Sequence, residues 1–244
     1  MPFATKQRSI NFPNDRSLGR LYVSDDFVRE KFAGEARGCL RLPAKVSARL
    51  QLDADACADL SPLSNLAPAD LQAIGFDGAK IDSGQFANLR RLEGLVKLSI
   101  AHTQLESSAF EHLVNMQKLR ALTIWWTSIT CSAAPHIGQL QALEQLDLSR
   151  TGLKDEALPH LQRLENLKVL ILWDTYVTDA GTAIIAKIPR LEHLALSGTK
   201  IGDETLHHLH ELKHLKLLEI EKTRLSQQEV RQFQIEHPEV EIRF

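Results

Sequence analysis

A pattern that recurs every 24 residues is first complete in residues 95–105, Leu-Val-Lys-Leu-Ser-Ile-Ala-His-Thr-Gln-Leu. Its constant part is an aliphatic residue at positions one, four, six and eleven and a threonine at position nine. The pattern occurs six times in one register, with copies starting at Leu95, Leu119, Leu143, Leu167, Leu191 and Leu215. Six copies without an insertion indicate a repeat architecture, in which each unit packs against its neighbours.

The spacing within one unit predicts a strand followed by a helix. Leu146 and Leu148 are two residues apart, which places both on one face of a strand. Leu158, Leu161 and Leu164 are spaced by three, as expected for the apolar stripe of a helix. No unit buries both stripes alone, so we expect the units to stack with their strands in parallel and their helices on the outer side.

The L-x-x-L-x-L pattern at this period resembles the leucine-rich repeat family, over about four-fifths of the chain. The resemblance implies an α/β solenoid, or horseshoe, with a parallel sheet on the concave face and helices on the convex face. The T-x-[IVL]-x-D form, with Asp155, Asp179 and Asp203, is similar to the 24-residue repeats of bacterial members.

The family pattern has Asn or Cys where this chain has threonine, and those residues bond the loop of the neighbouring repeat. We therefore expect the threonine hydroxyls to make part of these bonds between repeats. The aspartates that follow stand where helix N-caps belong, so we expect them to cap the helices.

Composition divides the chain into three parts. Residues 1–17 are polar and turn-rich and are predicted to be unstructured. Residues 18–46 predict an N-terminal cap, because a solenoid must cover its apolar end. Residues 47–244 predict the repeat array, with its best repeats over 71–226 and a last strand over 239–244. Within the cap we expect a strand at 21–23, a helix that begins at Ser24, stops at Gly34 and turns Phe27, Val28 and Phe32 inward, and a strand at 39–42.

The composition, 43% apolar and 25% charged over 244 residues, is that of one soluble, extended domain. No stretch approaches the roughly 20 apolar residues that cross a bilayer, and the first residues lack the apolar core of a secretory signal. Three scattered cysteines favour a reducing cytoplasm. A net charge of −2 gives no reason to propose nucleic acid or an anionic membrane as a partner. We expect a cytoplasmic monomer.

Two clusters resemble reactive sites. Cys57-Ala-Asp59 is similar to the C-x-D motif of bacterial ubiquitin-ligase effectors, but Cys57 occupies an apolar register position, which favours a buried core thiol. His207, His210 and His214 share one face of a predicted helix, yet a zinc site needs three or four convergent ligands. We predict no enzyme, no cofactor and no metal.

Every tryptophan lies at a position that faces the predicted concave surface. Trp125 and Trp126 occupy positions seven and eight of one unit, and Trp173 occupies position seven two units later. The position-seven indoles should stand roughly 10 Å apart over Ser149, because strands are ~4.8 Å apart. Trp, Tyr and Arg are enriched in binding hot spots, so we predict a surface that binds a protein or peptide. The predicted contact residues, called the aromatic patch below, are Trp125, Trp126, Trp173, Arg150, Asp147, Ser149, Ile171, Asp174 and Tyr176.

Other interpretations remain open at this stage. Arg150 lies between Trp126 and Asp174 in the position-eight row, so it could simply stack on one and pair with the other. In an adaptor or effector, the concave face would recruit a client while the N-terminal cap, or the unstructured first residues, docked a larger machine, such as a ubiquitin ligase or a host protein. An enzyme that uses the histidines or Cys57 is the third interpretation.

Overall fold

The computed structural model describes residues 6–25, 29–78 and 80–244, and its centre is one eleven-stranded sheet. Adjacent strands of the array are aligned with a shift of 24 residues, so that Leu122, Leu146 and Leu170 face one another. The predicted register and the parallel sheet are therefore confirmed. The nine parallel strands are β5 (Ser47–Leu52), β6 (Ala73–Asp77), β7 (Lys97–Ala101), β8 (Ala121–Trp125), β9 (Gln145–Asp147), β10 (Val169–Ile171), β11 (His193–Ala195), β12 (Leu217–Glu219) and β13 (Glu241–Arg243).

The core runs through the repeats as one continuous apolar cluster. In the six best copies, the residues at positions one, four and six are no more than 3% exposed. Leu158, Leu161 and Leu164 close the same core from the convex side, where each is at most 1% exposed. Burial of this kind supplies most of the favourable free energy of folding, and each repeat shares it with both neighbours.

Four strands precede the array and form its N-terminal cap: β1 (Gln7–Asn11), β2 (Gly19–Ser24), β3 (Lys31–Glu35) and β4 (Cys39–Pro43). β2 pairs antiparallel with β5 and β3, which makes β3 an outer strand of the main sheet. β1 pairs antiparallel with β4 in a separate two-stranded sheet. The cap thus begins well before residue 18.

The prediction that residues 1–17 are unstructured is wrong for β1, while residues 1–5 lie outside the described residues. Ile10 and Phe12 are buried in the main core, at 0% and 5% exposure. The Arg8 guanidinium donates hydrogen bonds to the carbonyl oxygens of Ala69, at 3.1 Å, and Asp70, at 2.8 Å. These bonds fix the first strand to the loop that leads into β6.

The helix predicted from Ser24 to Gly34 is also corrected. Phe32 lies in β3, is 59% exposed and contacts the ring of Tyr22 edge-on, with the centroids 5.9 Å apart. Gly34 lies in the same strand at φ +144°, so it does not stop a helix. Pairing with β2 supplies the backbone hydrogen bonds that a helix would have made internally. Phe27 and Val28 lie outside the described residues.

The convex side carries short helices of two kinds. Early repeats use 3-10 segments, and the α-helices α1 to α5 begin only after residue 133. Leu158 and Leu161 lie in the α-helix α2, and Leu164 follows that helix in the turn that leads to the next strand. The 3-10 segments are Ala56–Ala58, Ser61–Asn65, Ser83–Leu89, Ser107–Leu113, Cys131–Ala133 and Asp155–Ala157; the α-helices are α1 (Ala134–Ile137), α2 (Leu158–Leu161), α3 (Asp179–Ile185), α4 (Glu204–Leu209) and α5 (Gln227–Glu236).

The aspartates that follow the threonines do not cap their own helices. Asp155 accepts hydrogen bonds from the backbone N of Thr178, at 2.9 Å, and from its hydroxyl, at 2.6 Å. Asp179 accepts one from the backbone N of Gly202 at 2.8 Å. Ser107, Cys131 and Asp203 receive the equivalent bond from the residue 23 positions later. This column of side-chain acceptors, called the inter-repeat ladder below, joins each repeat to the next.

The threonines form hydrogen bonds within their own repeats, whereas bonds between repeats were predicted. Thr151 donates to the carbonyl oxygen of Leu148 at 2.7 Å, within its own repeat, and the next three threonines bond three residues back in the same way. Each hydroxyl therefore closes the turn after its strand instead of bonding the neighbouring repeat. The hydroxyls of Thr103 and Thr127 are buried without a hydrogen-bond partner among the described residues.

Candidate functional site

A hollow of about 400 Å³, called the aromatic hollow below, opens on the sheet between β7 and β10. Thr123 is aligned with Asp147, and Asp147 with Ile171, across three adjacent strands. Trp125 and Trp173 lie two residues beyond the outer pair, so two strand spacings, about 10 Å, separate their backbones. The hollow is lined by Ser99, Ala101, Thr123, Trp125, Asp147, Arg150, Trp173 and Asp174.

The residue at position eight of the repeat adopts a left-handed conformation at the end of each strand. Trp126, Arg150 and Asp174 have φ values of 53°, 54° and 52°. Side-chain-bearing residues rarely adopt this conformation, and glycine, which adopts it at no steric cost, holds the same position at Gly78 and Gly198. The turn brings the position-eight side chains together along the rim of the hollow.

Those rim side chains form a continuous series of contacts. The guanidinium carbon of Arg150 lies 4.8 Å from the ring centroid of Trp126, and its Nε donates to Asp174 Oδ2 at 3.0 Å. On the other side, the His102 ring lies 5.6 Å from that of Trp126, and its Nδ1 is 2.9 Å from Asp77 Oδ1. The surface ladder that the sequence offered as an alternative for Arg150 is therefore present.

The two position-seven indoles differ in how well they are covered. Trp125 is half-buried, because the rings of His102 and Trp126 meet it edge-on at 4.5 and 6.0 Å between centroids. Trp173 is 39% exposed, and none of the described rings or cations stacks on it. One wall of the hollow is thus held in place by neighbours, while the other presents an indole to solvent.

Asp147 lies in the hollow between the two indole walls. Its Oδ1 accepts hydrogen bonds from the backbone N of Ser149, at 2.9 Å, and from its hydroxyl, at 2.6 Å. Burial raises the pKa of Asp147 above the usual value for aspartate, and the Ser149 bonds offset part of the shift. Ser149 itself is 0% exposed. It orients Asp147 from below and cannot contact a partner, which corrects its place in the aromatic patch.

Three further members of the aromatic patch do not line the hollow, and one of them, Trp126, lies on its rim. Tyr176 is exposed beyond the strand, where Lys200 Nζ lies 5.0 Å from its ring centroid. Ile171 is half-buried on β10. The sequence reasoning missed Ser99, Ala101 and His102, although they occupy positions five, seven and eight of the preceding repeat and could have been found by extending the register one unit.

A second hollow of about 260 Å³, called the acidic hollow below, adjoins the first on the side of β12. The two hollows share Arg150, Trp173 and Asp174, so Trp173 stands between them. The rest of its lining carries two carboxylates and one ammonium group: Ser197, Gly198, Glu219, Glu221 and Lys222. The concave face is therefore aromatic at its centre and acidic toward the C-terminal repeats.

Cys57 and the histidines, which resembled reactive sites in the sequence, make structural contacts within the fold. Cys57 is 1% exposed, and burial, with Asp53 nearby, raises its thiol pKa to about 11. The predicted histidine helix ends at Leu209, so His214 is not part of it. His210 Nδ1 instead lies 2.6 Å from His237 Nε2 on the following repeat. Within residues 6–25, 29–78 and 80–244, no three His, Cys, Asp or Glu side chains converge as metal ligands would.

Comparison with known proteins points to one family. The family model described as Zer-1-like, leucine-rich repeats matches residues 134–241, which is less than half of the chain. No curated protein matches the sequence. In the described part of the chain, no helix has the length and apolar character needed to span a membrane.

Solved structures share the fold at low sequence identity. An internalin (inlF) from Listeria monocytogenes superposes with a TM-score of 0.56 and 18% identity over 76% of this chain and 56% of its own. Internalin C2 from the same organism superposes with a TM-score of 0.54 and 21% identity, over 75% of this chain and 72% of its own. A leucine-rich repeat protein of Leptospira interrogans superposes with a TM-score of 0.52 and 20% identity, over 72% of this chain and 43% of its own. The chain thus spans about half the length of two of these proteins.

These similarities establish the fold. They do not identify a binding partner, which must be inferred from the residues of the site. Leucine-rich repeat domains serve generally as protein-interaction modules, and the aromatic hollow lies on the face that such modules expose. With its 24-residue register, its parallel sheet and these matches, the chain has the leucine-rich repeat fold.

Proposed function

We propose that this chain is a binding module that holds an extended segment of a protein partner on its concave face. One observation carries the proposal: Trp125 and Trp173 form opposite walls of a single open hollow. A side chain of the partner enters between them. The proposal assigns no chemistry to the chain.

The exposure of Trp173 supports a binding role over a structural one. Its ring contributes nothing to the core, and the indole surface it leaves in water is apolar. Large apolar surfaces of this kind mark interaction sites when polar groups surround them, as Asp147, Arg150 and Asp174 do here. Burial of this indole in a complex would supply a large part of the binding free energy.

The contacts among Trp126, Arg150 and Asp174, called the rim ladder below, support the same role, because they fix one wall of the hollow before the partner binds. Arg150 is held between Trp126 and Asp174, and Trp126 in turn packs on Trp125. A wall that is already ordered loses little conformational entropy on binding. The surface ladder and the binding site are therefore compatible descriptions of the same residues.

The setting we propose is the cytoplasm, with the chain acting as a monomer. Cys39, Cys57 and Cys131 are all free thiols, and Cys39 is exposed. A reducing compartment keeps such an exposed thiol from forming disulfides with other molecules.

Peptide display tests the proposal. A random peptide library is selected on the full chain alone, and each recovered peptide is then tested on a variant that carries both Trp125→Ala and Trp173→Ala. Affinities of the recovered peptides are then measured by calorimetry against each single variant, with Tyr176→Ala as the matched aromatic control outside the hollow. We expect each tryptophan variant to lose about 2 kcal/mol of binding free energy and the control to bind as the parent does. Peptides that bind the double variant as tightly as the parent would refute the site.

A further inference from the structure

We propose that the side chain held in the aromatic hollow is an arginine of the partner, with its guanidinium between the two indoles and facing Asp147. This inference rests on the proposed function and names the chemistry that the same site recognises. Three features of the described residues carry it: an unpaired carboxylate, the shape of the gap, and the charge of the adjoining surface.

Asp147 is a carboxylate without a compensating cation. Among the described residues, no lysine, arginine or histidine nitrogen lies within 4.0 Å of it, and its hydrogen bonds come only from Ser149. Arg150 is the nearest candidate in sequence, but its guanidinium is paired with Asp174 and stacked on Trp126. A partly buried, unpaired carboxylate is costly, and a cation supplied by the partner would remove that cost.

The hollow between Trp125 and Trp173, of about 400 Å³, has room for a flat cation beside the guanidinium of Arg150, whose carbon lies 5.7 Å from the Trp125 ring centroid. Two strand spacings, about 10 Å, separate the two backbones, and a planar group needs about 3.5 Å on each side to contact both rings. The guanidinium is planar, is weakly hydrated and stacks on aromatic faces, while the carboxylate accepts its hydrogen bonds in the ring plane. Arg150 already makes this pair of contacts nearby, with Trp126 and Asp174.

The adjoining acidic hollow is complementary to a basic partner as well. Glu221 has no cation within 4.0 Å among the described residues, and Glu219 lies 2.7 Å from His193 and 3.7 Å from Arg243. Asp174 and Glu219 have cations of their own, Arg150 and Arg243, so Glu221 is the carboxylate of this lining that a basic residue of the partner would pair with. A segment with one arginine in the aromatic hollow and a further basic residue toward β12 would match this surface.

A pair of isosteric ligands tests the inference. N-acetyl-arginine methylamide and N-acetyl-citrulline methylamide have the same shape and differ in charge. The chain has three tryptophans, so its indole N–H signals in a nitrogen-15 NMR spectrum are three, and single Trp→Ala variants assign them. We expect the arginine ligand to shift the signals of Trp125 and Trp173 at millimolar concentration, and the citrulline ligand to bind at least fivefold more weakly.

The Asp147→Asn variant completes the test. It keeps an oxygen that can accept the Ser149 hydrogen bonds, and thermal unfolding checks that it is folded. We expect it to bind both ligands equally, at the weaker affinity. Equal affinity of the two ligands for the parent chain, or a charge preference that survives Asp147→Asn, would overturn the arginine assignment.

The same experiment separates this inference from the function on which it rests. Displayed peptides that need Trp125 and Trp173 but contain no arginine would leave the binding function standing and overturn the inference. Peptides that ignore both tryptophans would overturn both. Selection of a central arginine, lost when the selection is repeated on Asp147→Asn, is the expected result.

Discussion

The left-handed residue at position eight controls what the rim of the concave face can present. Trp126, Arg150 and Asp174 occupy this conformation, and each forgoes the ordinary preference of an L-residue for negative φ. Together they form the rim ladder. The strained backbone conformation therefore occurs at residues whose side chains contact one another. Backbone strain concentrated at a site is commonly associated with function.

Two glycines at this position offer a matched pair of substitutions. Gly78 and Gly198 have φ values of 67° and 71°, but an added Cβ meets no atom within 4 Å at Gly78 and clashes with Asp174 Oδ1 at Gly198. Gly78→Ala should cost about 1 kcal/mol of unfolding free energy, from the backbone alone. Gly198→Ala should cost more, because it also displaces Asp174 from Arg150.

Chemical denaturation measures both changes. Adding Asp174→Ala to Gly198→Ala should bring its cost close to that of Gly78→Ala, since the clash is then gone. Equal losses for the two single variants would mean that Asp174 does not occupy the position described.

At the scale of the repeat, the inter-repeat ladder replaces the contact that the threonines were expected to make. Asp179 accepts hydrogen bonds from the backbone N of Gly202, at 2.8 Å, and from the hydroxyl of Thr205, at 2.6 Å. Both donors belong to the next repeat. The pattern L-x-x-L-x-L-x-x-T-x-[IVL]-x-D therefore contains its own link between units, in the aspartate.

Removing one rung should weaken the array measurably. Asp179→Ala leaves the Gly202 N–H and the buried Thr205 hydroxyl without this acceptor, so we expect a loss of about 2 kcal/mol in unfolding free energy. Glu204→Ala, at an exposed site in the same turn, should change it by less than about 0.5 kcal/mol. Urea denaturation of both variants makes the comparison, and equal losses would show that the ladder does not stabilise the contact between repeats.

The repeats could be predicted from the sequence because the regular spacing of their leucines identifies them. Leu146 and Leu148 are on the core face of one strand, as the period of two requires. The 3-10 segments of the early repeats were not predicted, because a spacing of three fits both kinds of helix. The direction of the Thr151 and Asp155 hydrogen bonds depends on the turn geometry between repeats, which a spacing does not specify.

For the whole molecule, the N-terminal cap shows where local sequence carries too little information. β1, with the sequence Gln-Arg-Ser-Ile-Asn, contains one apolar residue, so its pattern cannot indicate a strand. Its structure comes from distant contacts: pairing with β4, burial of Ile10 and the hydrogen bonds of Arg8 to the loop before β6. Tertiary contacts of this kind override local propensity.

A substitution in β1 tests that the cap is docked. Ile10→Ala should cost about 2 to 4 kcal/mol, because Ile10 is fully buried and the change leaves a cavity at the end of the core. Gln7→Ala, on the exposed face of the same strand, serves as the control and should cost little. Similar melting temperatures for both variants would indicate that the strand is detached from the array.

The functional face was partly predictable for the same reason as the repeats. The register placed Trp125 and Trp173 in one row, two strands apart, and the structure puts both on one hollow. It could not show that Ser149 is buried beneath Asp147, or that Tyr176 turns away toward Lys200. Those outcomes depend on side-chain packing between repeats, where each residue has several possible neighbours.

Parallel measurements of affinity and stability on Trp173→Ala test the central claim most directly. The selected peptide is titrated into the parent chain and the variant by calorimetry, and both proteins are melted without peptide. Because Trp173 is exposed and lies outside the core, we predict a loss of about 2 kcal/mol in binding free energy and a change in unfolding free energy below about 1 kcal/mol. A variant that binds the peptide unchanged but unfolds far more easily would show that this indole serves the fold, and would contradict the assignment of the concave face as the binding site.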